Sequence, residues 1–198
     1  MEVNLSARKI GQEEKRALVM DCALRLFVQK GYHSVTVPDI VKESGVSTGS
    51  IYSYFKNKED LAEQIYQQVQ SRFNQQLAAR LVHKETTYDK LKAFVEMVFE
   101  ATEQDPVVME YMLFLRHTEF LPNSLPICHS EAFQIVRNIL QEGMNRGEVK
   151  TQDIFVAGIS YTGVVLRAAD LRLSGVYLHN LTECIDIFHE NAWNAVKN

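Results

Sequence analysis

The stretch GVSTGSIYSYFKNKEDL, residues 45–61, decides how the chain is read. It crowds Ser, Thr, Tyr and Lys around two bulky apolar residues, Ile51 and Phe55. A buried helix would place Leu and Val at such positions, and a plain surface helix would carry Glu and Lys. Gly45-Val46-Ser47 separates a short helical segment that begins near Thr36 from another that begins at Ser47. A turn of about three to four residues containing Gly, between two short helices, is the helix-turn-helix arrangement. There Val46, Ile51 and Phe55 face inward onto Ile40, Ala23 and Phe27, leaving Thr48, Gly49, Ser50, Tyr52, Ser53 and Tyr54 outward or along the rim. The second helix of such a unit enters the major groove of DNA, where small residues allow close approach and hydroxyls reach bases or phosphates. Lys58 opens the next helix, so its charge adds to that helix's positive N-terminus and makes a phosphate clamp.

Charge supports the same division. The 198 residues carry a formal net charge of -4. Residues 1–58 hold nine Lys/Arg and six Asp/Glu (+3), and residues 59–198 hold twelve and nineteen (-7). A basic N-terminal part and an acidic remainder suit a polyanion partner for the first only. Hydrophobic residues are 46% and charged residues 23%, ordinary for a globular chain with a core. Cys22, Cys128 and Cys184 are odd in number and lack metal-ligand spacing, which predicts free thiols, no metal and no cofactor. No signal peptide is visible, and the most apolar run, IFVAGISYTGVVL (154–166), is too short to span a bilayer. A cytoplasmic protein without a membrane partner is expected, so the sequons at Asn4 and Asn180 carry no meaning.

Helical periodicity runs the length of the chain. Leu18/Cys22/Leu26 and Val19/Ala23/Phe27 form an apolar stripe that Gly31 terminates, and Thr36 with Asp39 reads as a capping box. Asn57 caps a helix whose buried face is Leu61, Ile65, Val69, Phe73, Leu77 and Leu81. Further helices are predicted at 87–104, from 106 to about 118, and at about 130–145, 152–173 and 177–196, with a proline-containing loop at 121–129. The expectation is all-α with about nine helices: a three-helix DNA-binding head at 1–57 and a helical body at 58–198.

TVPDIVKESGVSTGSIYSYFKNKEDL (36–61) resembles the N-terminal domain of the TetR/AcrR family of bacterial transcriptional regulators. Thr36, Ile40, Ser44, Gly45, Val46, Ser47, Gly49, Ile51, Tyr52, Tyr54, Phe55, Asn57, Lys58, Glu59 and Leu61 match its pattern, and the likeness covers about residues 12–65. The resemblance implies DNA contacts at Thr36, Ser47, Thr48, Gly49, Ser50, Tyr52, Tyr54 and Lys58. Thr48 stands where many members carry Lys or Arg, so one charge is missing. GVSTG also matches the G-x-S-x-G nucleophile elbow of hydrolases, but that chemistry needs a strand before the Ser, and PDIVKE reads as helix. Ser47 is better explained as an N-cap, and no enzyme is expected.

The resemblance further implies a body that binds a small effector and forms a homodimer, releasing a palindromic operator when ligand binds. A regulator without a small ligand, protein-controlled or activating, is the alternative. The residues suggest where an apolar or amphipathic effector would sit: VVMEYMLFLRHTEF (107–120) is rich in Met and aromatics. Candidate pocket residues are Phe94, Met97, Met109, Met112, Phe114, His117, Phe133, Tyr161 and Arg167. Two late helices with apolar faces suggest a two-fold interface through Gly158, Thr162, Val165, Ala169, Leu181, Ile185, Phe188 and Ala192.

Overall fold

The computed structural model describes residues 11–121 and 130–198; Asn4, Cys128 and most of the 121–129 loop lie outside the described residues. The described residues form nine α-helices: α1 (Gln12–Lys30), α2 (Val37–Ser44), α3 (Thr48–Tyr54), α4 (Lys58–Leu81), α5 (Thr87–Gln104), α6 (Pro106–Phe114), α7 (Glu131–Asn145), α8 (Ile154–Leu173) and α9 (Ile185–Val196). Among them there is no strand, and one isolated bridge pairs Val149 with Lys197. The all-α expectation holds.

Local chemistry sets the helix starts. Asp39 N–H donates to Thr36 Oγ1 at 3.4 Å while Thr36 N–H donates to the Asp39 carboxylate at 2.8 Å, the capping box read from sequence. Asn57 Oδ1 caps α4 by accepting from Asp60 N–H at 2.8 Å. Two ends differ from expectation. The α6 helix stops at Phe114, short of Thr118, and a 3-10 turn follows at His117–Glu119, whose His117 ring packs against Tyr66, Tyr111 and Phe120. The last helix starts at Ile185 instead of near Tyr177. Gly175 (φ +70°) lets the chain turn back, so that Val176 and Tyr177 N–H groups both donate to the Leu171 carbonyl at 2.9 Å.

Packing divides the chain into two compact units that part between Ile65 and Tyr66, inside α4. The first turns of α4 therefore belong with the head, where Leu61, Ala62 and Ile65 are buried and Gln64 accepts from Arg16 at 2.6 Å. In the second unit α5 lies against α7, α8 and α9, burying Leu91, Phe94, Val95, Val98 and Phe99.

That packing corrects the expected interface. Thr162, Val165, Ala169, Leu181 and Ala192 are buried in the chain's own core, and Phe188 stacks edge-on to Phe99 at 5.4 Å. Ile185 is half-buried against the same core. The small stripe of α8 admits its own neighbours, above all α9. The large apolar residues that α8 leaves outside are Phe155, Val156 and Ile159, the last 70% exposed, and α9 leaves out Ile187. By length and composition α8 could cross a membrane (20 residues, mean hydropathy 1.4), yet its inner face packs on α5, α7 and α9.

Candidate nucleic-acid interface and effector cleft

Ile40, Val46, Ile51 and Phe55 are buried together with Ala23 and Phe27 of α1. This apolar anchor fixes α3 against α2. Gly45, at φ +68°, closes α2 in the left-handed conformation that favours glycine. Ser47 Oγ then caps α3, accepting from Ser50 N–H at 3.3 Å and lying 3.0 Å from Ser50 Oγ. A helix on each side of Ser47, and its hydroxyl engaged as a cap, leave no strand-to-helix elbow there.

Anchoring one face of α3 turns the other to solvent. Thr36, Ser47, Thr48, Gly49 and Tyr52 are exposed, and Ser50 and Tyr54 are half-buried. The Thr36 hydroxyl is held by Asp39 at 2.5 Å. In contrast, the hydroxyls of Thr48, Tyr52 and Tyr54 make no hydrogen bond among the described residues. A Cβ placed on Gly49 would meet nothing within 4 Å, so the fold itself does not require glycine there. The α3 face thus offers hydroxyls, a bare backbone stretch and no acidic group.

Lys58 has partners inside the head. Its ammonium donates to the Tyr32 carbonyl at 3.1 Å and the Val35 carbonyl at 2.9 Å, and lies 4.2 Å from the Tyr32 ring centre. It is half-buried and tied internally, a role its position at the start of α4 did not reveal.

The nine candidate pocket residues do not all line one cavity. Phe94, Met109, Met112 and Phe133 line an apolar void of about 10 Å³ with Phe73 and Val98. Met97 lines a separate cleft of about 70 Å³ between α4, α5 and α6. Phe73 borders both. Tyr161 is core, its hydroxyl 2.8 Å from His189 Nδ1. Phe114 is 45% exposed, and Arg167 is exposed and paired with Asp170. His117 sits in its aromatic cluster, where burial pushes its imidazole down to about 4; neither its Nε2 nor the buried Tyr111 hydroxyl has a partner among the described residues. The larger cleft carries charges that helical periodicity did not single out: Arg72 pairs with Asp105 at 3.5 Å and Arg80 with Glu100 at 2.6 Å. An apolar groove of about 240 Å³ runs between α7 and α8, lined by Phe133, Phe155, Gly158, Ile159, Gly163 and Leu166 among others.

A family profile described as "Bacterial regulatory proteins, tetR family" matches residues 19–65. The chain is 29% identical to the fatty acid metabolism regulator protein of Bacillus subtilis (strain 168) over 67% of its own length and 69% of that protein. It is 28% identical to the HTH-type transcriptional regulator AcrR of Shigella flexneri, over 89% of this chain and 81% of that one. Among solved structures, the transcriptional regulator FadR from Bacillus subtilis in complex with stearoyl-CoA shares the fold, with a TM-score of 0.74 at 23% identity over 90% of this chain and 98% of that chain.

Proposed function

Because this chain belongs to the TetR family of bacterial DNA-binding transcriptional regulators, we propose that it is a cytoplasmic repressor that holds a palindromic operator as a homodimer and releases it on binding an amphipathic effector. The observation that carries the DNA contact is the outward face of α3. Its unpaired hydroxyls at Thr48, Tyr52 and Tyr54, beside a glycine the fold does not need, suit a backbone that must approach base edges closely.

A two-fold interface needs a patch complementary to itself. The outer face of α8 has both halves of one: protruding Phe155 and Ile159, and the groove floored by Gly158 and Gly163. We infer that two copies pair through this face, which replaces the buried stripe first expected. Selection of duplexes from random sequence should then return a two-fold symmetric site with half-sites about 34–36 Å apart or a multiple of that. Ile159→Asp should sediment as a monomer and lose on the order of a hundredfold in affinity for the selected duplex, since one head keeps only half the contacts. A dimeric Ile159→Asp protein with full affinity would refute this interface.

For the effector, the void and the cleft that share Phe73 mark an apolar and a charged region side by side, the apolar one having to widen to admit an acyl chain. A relative that binds stearoyl-CoA supports an amphipathic ligand. Medium- and long-chain acyl-CoA thioesters should weaken operator binding by a coupling of about 1–3 kcal/mol, and operator should weaken thioester binding equally. Met112→Ala, which enlarges the void, should shift the preferred chain length while changing ligand-free operator affinity less than about twofold. Operator affinity indifferent to every thioester would remove this effector class.

A further inference from the structure

Lys58 joins three parts of the head. Its Nζ donates to the carbonyls of Tyr32 and Val35, which occupies two of the three N–H groups of an ammonium. The same nitrogen lies over the Tyr32 ring at 4.2 Å. The next residue, Glu59, accepts from the Tyr32 hydroxyl at 3.1 Å. Tyr32 is 6% exposed and packs on Phe27 of α1 at 5.2 Å. Two consecutive residues of α4 therefore grip one tyrosine at its carbonyl, ring and hydroxyl.

The place of this grip matters. Tyr32–Ser34 is the 3-10 turn between α1 and α2, and Val35 immediately precedes Thr36, the N-cap of α2. Lys58 thus ties the first residue of α4 to the backbone from which α2 departs, and α3 follows α2 after Gly45, Val46 and Ser47. We propose that Lys58 is a positioning residue for sequence reading: it sets the α2–α3 pair against α4, and its main partners are these two carbonyls in place of a DNA phosphate. The inference rests on the DNA-binding reading above. A lysine suits the task because a compact ammonium can fork between two carbonyls beneath a ring, whereas the planar guanidinium of arginine presents its donors in a longer, rigid fork.

Two variants separate the roles. Lys58→Arg keeps the charge and changes the donor geometry; Lys58→Met keeps the stem and removes both charge and donors. Each is compared with wild type on a duplex enriched by the wild-type protein and on a random-sequence duplex, across a salt series, at a temperature where circular dichroism shows all three folded. Positioning predicts that both variants lose about tenfold in the ratio of enriched to random affinity, with the salt slope on random duplex unchanged. A phosphate contact predicts the reverse: Lys58→Arg near wild type, and Lys58→Met weaker on both duplexes with the slope reduced by about one. That outcome overturns the proposal. So does a lower melting temperature with an unchanged ratio, which leaves Lys58 a purely stabilising residue. If wild type enriches no duplex at all, the DNA-binding reading falls and takes this inference with it; either of the other failures leaves that reading intact.

Discussion

In Gly49→Glu, operator affinity is expected to fall by on the order of a hundredfold or more while the fold becomes more stable, two effects of opposite sign from one substitution. The loss follows from the proposed docking of α3. A carboxylate on its exposed face would confront phosphates and fill the space through which the backbone approaches the groove. The gain follows from local physics. Gly49 lies in the first turn of α3, after the Ser47 cap, and its Cβ position is open. There Glu replaces a poor helix former and places negative charge near a positive helix end, which together contribute about 1 kcal/mol. Urea denaturation and fluorescence anisotropy on the same preparation read both effects. A variant that is more stable and still binds the selected duplex would show that α3 does not face DNA through Gly49.

Between about pH 6.5 and 5 the protein should lose stability because of two histidines, the buried His189 and the half-buried His117. His189 is fully buried, and desolvation, aided by the nearby Lys92 ammonium, pushes its imidazole down from 6.5 to about 4. The neighbouring carboxylates of Glu190, Asp186 and Asp89 oppose that shift. His117 is lowered to about 4 by desolvation. The folded imidazoles stay neutral where unfolded ones take up protons. Their contribution is therefore complete above about pH 6.5 and declines as pH falls toward the folded value near 4. Carboxylates held below their usual range, such as Glu103 beside Arg172 and Asp60 beneath the Lys56 N–H, lose their contribution only at lower pH. The window above about pH 5 thus isolates the histidines. His189 alone accounts for about 2 kcal/mol there, at 1.36 kcal/mol per pH unit. Urea midpoints should decline across that window in wild type and clearly less in His189→Gln, which keeps a side-chain partner for the Tyr161 hydroxyl. Equal slopes in the two proteins would mean that His189 is protonated in the fold without cost.

Much of the head was legible before any coordinates. The Thr36–Asp39 box, the Gly45 stop and the Ser47 cap each act within a few residues, and the Ile51/Phe55 anchor shows as helical spacing. Each is stabilised by hydrogen bonds or periodicity that a linear chain displays directly. The outward set on α3 follows as the complement of the anchor. The α8 helix shows where such reading stops. Apolar residues occupy several of its faces, and periodicity alone selected the stripe Gly158, Thr162, Val165 and Ala169 as a surface. Most of that stripe is core, whereas Phe155 and Ile159 are exposed.

By itself, then, the sequence determined the helical class, the turn between α2 and α3, and the residues of α3 left facing outward. The tertiary structure decided which side of α8 is exposed, that Met109 and Met112 of the Met- and aromatic-rich segment pack against Phe73, Phe94 and Phe133 around a small void, and that Lys58 is engaged inside the head. The reason is range. Caps and turns join residues three or four apart, whereas Lys58 meets Tyr32 across 26 positions and Arg172 meets Glu103 across 69. Helical periodicity records that a face is apolar, but which distant partner covers it is settled only when the whole chain packs and each buried polar group finds its acceptor.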